Sequence, residues 1–185
     1  PTDDGERQTL LQKSAILTDR FQLADQRIAQ VQADLNAGVN SDVSDVNRLL
    51  STIAELNAQI GRFEVNSPGS AVDLRDQRQA RLEELGAKLP VEIRDSGASQ
   101  VQIVAKDGAG ADVVLVDLAT VQGAVTFDGT QLSAGAPSTV LALNGGSIKG
   151  ALTARDGAIQ TLRSDLDLLA RQLVTSVNAA YNPTG

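Results

Sequence analysis

Two apolar series at coiled-coil spacing occupy the first third of the chain, and they restrict it to folds built from packed helices. Leu10, Leu17, Phe21, Ala24, Ile28, Val31 and Leu35 follow alternating steps of four and three, with Ser14 taking one place in the series. Residues three and four apart share one face of a helix, so this spacing draws a continuous stripe that must find a partner. Val39, Val43, Val46, Leu50, Ile53, Asn57 and Ile60 repeat the pattern, but the step from Leu35 to Val39 is four where three was due. The register therefore slips near Asn36-Ala37-Gly38. Two structures fit the slip: a turn between antiparallel helices, or one helix of roughly 80 Å whose stripe rotates locally. Gly38 speaks for the turn. The absence of Pro from residues 36–40, where a single Gly costs only about 1 kcal/mol, speaks for the continuous helix.

Val65-Asn66-Ser67-Pro68-Gly69 is a stop, and Ser70-Ala71-Val72-Asp73 has the capping-box form that opens another helix, expected to run to about Lys88. Its inner face reads Leu74, Arg78, Leu82, Leu85 and Leu89, with Glu84 and Lys88 as a surface pair. Pro90 ends it. Short Val- and Ile-rich runs follow at 91–93, 101–104, 112–116 and 124–127, separated by Gly-, Asp- and Ser-containing turns, which read as a small antiparallel sheet. Asn144-Gly145-Gly146-Ser147 closes it, with Ser147 the expected cap of a last helix. Along that helix Ile148, Leu152, Arg155, Ile159, Leu162, Leu166, Leu169 and Leu173 again alternate four and three. The fold class is thus α+β, mainly α: an elongated helical bundle with a small antiparallel β-rich insertion. The expected domains are a discontinuous helical bundle of residues 1–89 and 146–185, and the insertion at 90–145.

Composition narrows the chemistry. The chain has no Cys, His, Met or Trp, which removes disulfides, thiolate metal sites, thiol nucleophiles and the side chain that most often titrates near neutrality. Net charge is −7, and no basic stripe forms, so nucleic acid is not an expected partner. No apolar run reaches the roughly 20 residues that span a bilayer, and no membrane partner is expected. Pro1 in place of a starting Met reads as a piece of a longer protein, and any export is expected to use another route or a segment outside this piece.

No catalytic set assembles. Serines lack a His or Cys partner, and no Ser-x-x-Lys arrangement occurs. Gly108-Ala109-Gly110 lacks the third Gly of a dinucleotide fingerprint, and Gly145-Gly146-Ser147-Ile148-Lys149-Gly150 has the wrong order for a phosphate loop; a turn and a helix start are the respective readings. Asp3-Asp4, and Asp107 with Asp112, miss the spacing of a calcium loop and read as solvated surface. No enzyme activity, no metal and no cofactor is expected.

Arg78 and Arg155 say more, because each stands on an otherwise apolar stripe. Either each lies at an edge and extends its head into water, or each pairs with Asp73, Asp76 or Asp156 and fixes how the helices line up. Asn57, also on a seam, carries the same two readings.

Two blocks carry a family resemblance that spacing cannot supply. Val46-Asn47-Arg48-Leu49-Leu50-Ser51-Thr52-Ile53-Ala54-Glu55-Leu56-Asn57-Ala58-Gln59-Ile60, followed by Asp73-Leu74-Arg75-Asp76-Gln77-Arg78, resembles the flagellar hook-associated protein 1 family. So does Gly145-Gly146-Ser147-Ile148-Lys149-Gly150-Ala151-Leu152 with Arg155-Asp156, leading to Val177-Asn178-Ala179-Ala180-Tyr181. Gln79 stands where the family usually has Asp, and Pro90 interrupts a Val-rich continuation. The resemblance implies a flagellin-like plan and a structural component joining hook to filament in the bacterial flagellum, secreted through the type III export apparatus to an extracellular place. It also implies the hook protein and the second junction protein as partners, self-association as a ring in the full-length protein, and an export chaperone binding outside this piece. The terminal assembly helices would lie outside it too. Another axial flagellar protein (the second junction protein or flagellin) and a secreted coiled-coil adhesin or effector are the competing readings.

Overall fold

The structure, a computed structural model, describes residues 4–97 and 99–181. Helix α1 runs unbroken over Asp4–Phe63, so the stripe slip at residues 36–38 is absorbed within one helix and no turn forms. A lone Gly without Pro leaves the hydrogen-bond ladder intact, and the second stripe simply continues at a rotated angle. Helix α2 occupies Val72–Lys88. It returns antiparallel along α1, since Arg78 meets Asn57 while Lys88 meets Asp42 and Asp45. Leu82, Leu85 and Leu89 are buried as their spacing predicts.

Among the described residues seven strands follow: β1 Glu92–Asp95, β2 Val101–Lys106, β3 Asp112–Asp117, β4 Thr120–Val121, β5 Thr126–Phe127, β6 Leu132–Ala134 and β7 Thr139–Val140. They form two antiparallel sheets, ordered β1-β2-β3-β4 and β5-β6-β7, where the sequence suggested one. The strands β4, β6 and β7 are two or three residues long, too short for period-two alternation to show. A bridge between Asp107 and Leu141 joins the sheets.

The last helical stretch begins with α3 at Gly146–Thr153, passes through a π-helical turn at Ala154–Ile159, and continues as α4 at Gln160–Tyr181. The sequence reading had one uninterrupted helix here. A π turn inserts one residue and rotates the face that follows, yet the four-three series runs unbroken through Leu152, Arg155, Ile159 and Leu162, so periodicity gives no sign of it.

Two compact units result. One contains residues 36–152, the other residues 1–35 with 153–185. Both sheets pack on the α1 and α2 segments of the first unit. Its core is continuous: Val39, Val46, Leu50 and Ile53 of α1 meet Leu85 and Leu89, sheet residues such as Ile103, Leu115 and Leu132, and Ile148 of α3. Gly146 makes this closure possible. It has φ +83° and lies where any Cβ would collide with the Lys88 carbonyl, so the chain re-enters the helices directly beside the point where it left them.

The second unit is different. Among its described residues Ile28 is the one buried apolar side chain, although Leu17 and Val31 belong to the same predicted stripe.

Candidate functional site

The interior of the larger unit holds a set of polar side chains that bind backbone, and they converge on α1. Asn57 is fully buried. Its Nδ2 donates to the carbonyls of Val101 (2.8 Å) and Leu118 (2.6 Å), and its Oδ1 accepts from Arg78 Nη1 (2.8 Å) and from the Val101 amide (3.3 Å). One amide group thereby satisfies four partners drawn from α2, the start of β2 and the turn after β3. Leu118 adopts φ 53° and Ser99 φ 61°, both in the left-handed region, and the carbonyl of each is held: Leu118 by Asn57, Ser99 by Arg78 Nη1 at 2.7 Å. Gln100 Nε2 adds a bond to the Asn57 carbonyl at 3.1 Å. Gly61 leaves that glutamine room, since a Cβ there would stand 2.5 Å from its Nε2.

Beside this lies an ion pair between buried Glu64 and partly exposed Arg75. Glu64 takes two parallel bonds from Arg75, Nε to Oε1 at 3.0 Å and Nη2 to Oε2 at 2.5 Å, and its Oε1 also accepts the Ala71 amide at 3.1 Å. The Arg75 guanidinium holds the Glu64 carboxyl at a pKa of about 2, with Ser99 and the Ala71 amide adding to the effect. Glu64 therefore does the work assigned from sequence to a Ser70 and Asp73 capping box. That box does not form: Ala71 is the residue before α2, and no side chain caps it. Arg78 has its pKa pulled below its ordinary value by burial and then by neighbouring Arg75, and it remains a cation at neutral pH.

Two further contacts fasten the middle and far end of the same face. Asn47 grips both backbone groups of Val125, donating to its carbonyl and accepting from its amide at 2.8 Å each. Asp42 accepts from Lys88 Nζ at 2.5 Å and from the Ser147 hydroxyl at 2.6 Å, tying the end of α2 and the start of α3 to α1. Ser147 thus serves Asp42 and caps nothing, and Lys88 pairs with Asp42 and Asp45 in place of Glu84, which pairs with Arg81. No buried side-chain nitrogen or oxygen among the described residues lacks a partner.

Of the residues singled out from sequence, Asn57 and Arg78 are brought together. Asp73 and Asp76 are exposed, and the partners of Arg78 are Asn57 and the Ser99 carbonyl, which corrects the expectation of an Asp73 or Asp76 pair. Arg155 is buried in the π turn and binds Asp156 through two bonds, Nε to Oδ1 at 2.6 Å and Nη2 to Oδ2 at 2.9 Å. Glu64, Arg75, Asn47 and Asp42 escaped the sequence reading. Glu64 had one readable signal: an acid at a helix C-terminus, where the dipole disfavours it, requires a local cation or donor. Among the described residues no group of acids could hold a metal ion, and no helix is long and apolar enough to cross a membrane. Asp3 of the Asp3-Asp4 pair lies outside the described residues.

The arrangement consists of carbonyls and amides held by side chains, which fasten α2 and both sheets to α1.

The family model for the flagellar hook-associated protein FlgK helical domain matches residues 1–183. Flagellar hook-associated protein 1 of Escherichia coli (strain K12) is 27% identical over 190 aligned positions, and that of Salmonella typhimurium (strain LT2) 28%, each covering 97% of this chain. The chain spans about a third (34%) of the length of these relatives. A solved structure, the flagellar hook junction protein FlgK from Burkholderia pseudomallei, superposes with a TM-score of 0.66 at 24% identity, covering 83% of this chain and 29% of that one, and agrees in fold: mainly α with a β-rich insertion. With nearly every residue matched, the chain belongs to the family of the flagellar hook-associated protein FlgK helical domain.

Proposed function

We propose that this chain is a structural part of the bacterial flagellum, a rigid building block of the junction that joins hook to filament, and that it catalyses nothing. The observation that carries this reading is the polar clamp along α1. Its hydrogen bonds go to the chain's own backbone and to other side chains of the same clamp, and a mechanical part needs its sheets and helices fixed in one orientation. The family match over residues 1–183 supports the place in the flagellum. On the same reading the protein acts outside the cell after type III export, contacts the hook protein and the second junction protein, and forms a ring with copies of itself in the full-length protein. Export chaperone binding falls outside this chain, and no cofactor is needed. Asn57 with Arg78, and Arg155 with Asp156, act as registering residues, the first for α2 on α1 and the second within the last helical stretch; Asp73 and Asp76 belong to the exposed surface. An antibody raised against the chain and applied to isolated flagella should label a single band between hook and filament. Label along the filament, or none on the flagellum, would overturn the assignment.

A further inference from the structure

Asn144-Gly145 is the one Asn-Gly pair in the chain. It lies between the bridge at Leu141 and the start of α3, outside any helix or strand, and Asn144 is exposed. Among the described residues no hydrogen bond engages the Asn144 side chain or the Gly145 N–H. The space beside Gly145 is open as well, since an added Cβ would meet nothing within 4 Å. A free carboxamide and a free, uncrowded amide nitrogen next to it in the chain are what a main-chain nitrogen needs to attack the side chain before it. The other asparagines lack this combination. Asn36, Asn40, Asn47, Asn57 and Asn178 stand in helices, where the following N–H donates into the ladder, and Asn47 and Asn57 also bind backbone through both ends of their amides. Asn66 is followed by Ser67, whose side chain crowds the attacking nitrogen, and Asn182 by Pro183, which has no N–H.

We propose that Asn144-Gly145 is a self-modifying site, at which the folded chain converts Asn144 to aspartate and isoaspartate without an enzyme. The Gly145 nitrogen gives up its proton to hydroxide and bonds to Cγ of Asn144. The Cγ–Nδ2 bond breaks, and Nδ2 takes up a proton and leaves as ammonia. The product is a succinimide ring, which water opens in one of two ways. Attack at Cγ releases the Gly145 nitrogen from the side chain and gives aspartate; attack at the main-chain carbonyl carbon releases it there and leaves the chain running through the side chain, as isoaspartate. Nothing is oxidised or reduced, and water is the only co-reactant. The two products act differently on the fold. Aspartate places a negative charge two residues before α3, where the helix dipole favours it, in the small cleft that Glu92 and Lys106 also line. Isoaspartate adds a methylene to the main chain between Leu143, which packs against the core, and Gly146, which is fixed where a Cβ would come within 2.3 Å of the Lys88 carbonyl oxygen. The extra length falls on the closure of α3 against the end of α2, and the isoaspartyl form is the less stable one.

Ageing the purified chain in neutral and in mildly alkaline buffer, with tryptic mass mapping at intervals, tests it. Cleavage after Lys106 and Lys149 gives a peptide in which Asn144 is the one asparagine, and fragmentation places the amide-to-acid mass change within it. Asn144 should convert at least about tenfold faster than Asn66, and faster at the higher pH, because the attacking nitrogen must lose its proton. Both products should appear, and isoaspartate-specific carboxyl methylation should label this peptide. Gly145→Ala should slow the conversion by at least about tenfold, and Asn144→Gln should remove the label. An Asn144 that stays intact in the folded chain overturns the proposal, whether or not urea releases the reaction. So does conversion of Asn66 ahead of Asn144, or a Gly145→Ala chain that converts at the native rate. The isoaspartyl fraction, separated after ageing, should unfold at a lower urea concentration than Asn144→Asp; equal midpoints would overturn the strain assigned to the lengthened main chain.

Discussion

Replacing Asn57 by Ala should be among the most damaging single changes in the chain, for a reason that has little to do with volume. The side chain is fully buried and engages two carbonyls, one amide and a guanidinium. Alanine leaves the Val101 and Leu118 carbonyls and the Val101 amide without partners inside the protein, at about 1–3 kcal/mol for each group that water cannot reach. It also frees Leu118 and Ser99 to leave left-handed conformations, which returns part of the loss. A net cost of about 3–5 kcal/mol follows, a large share of the 5–15 kcal/mol that typically holds a domain together. Arg78→Ala should cost less, about 1.5–3 kcal/mol, since only the Asn57 oxygen and the Ser99 carbonyl lose a charged donor. Urea denaturation of both single variants and the double variant gives the coupling, expected at about 1–2 kcal/mol. Pairing Arg78→Ala with Asp73→Asn or Asp76→Asn should give simple additivity. A cost under about 1 kcal/mol for Asn57→Ala would mean that water or a backbone shift satisfies those groups, and the clamp would not be what fixes the sheet to the helix.

Glu64 gives the chain an acid limit. Its pKa of about 2 lies below the ordinary 4.5, so its contribution to stability is complete above about pH 4.5 and is lost as pH falls toward 2. The thermal midpoint of the native chain should therefore fall more steeply over that window than that of Glu64→Gln; parallel curves would count against the Glu64–Arg75 pair. Gly146→Ala forces a Cβ into the Lys88 carbonyl at a left-handed φ and should cost about 2 kcal/mol or more, while Gly145→Ala, with nothing within 4 Å, should change stability by under about 0.5 kcal/mol in the same denaturant titration. Asp156→Asn takes its charged partner from the buried Arg155 guanidinium and should cost about 1.5–3 kcal/mol in the same titration; a loss under about 0.5 kcal/mol would deny the pair a registering role.

The helices were legible because their stripes are long. Val39, Val43, Val46, Leu50, Ile53, Asn57 and Ile60 form a series of seven in which every member is buried, so the repeating pattern recorded the core directly. Leu17 and Val31 obey the same spacing and stay exposed, because periodicity reports a face that wants cover and says nothing of whether cover arrives. The strands of two and three residues carried too few positions to show alternation. Asn57 and Arg78 stand out as polar residues on apolar stripes, but the sequence leaves Arg78 open between an exposed edge and an aspartate pair. Sequence proximity favoured Asp73 and Asp76, whereas the contact comes from α1 at a separation of 21 residues. Asn47 and Asp42 bind backbone and a hydroxyl across 78 and 105 residues, distances over which a single sequence offers no local signal.

The most direct measurement of the junction role is made in a strain from which the parent gene has been deleted. Electron microscopy of the cell surface and an immunoblot of the culture medium for flagellin together read the outcome. Hooks should remain, filaments should be absent, and unassembled flagellin should collect in the medium, all reversed by the intact gene. Cells that carry normal filaments without this protein would contradict its place between hook and filament.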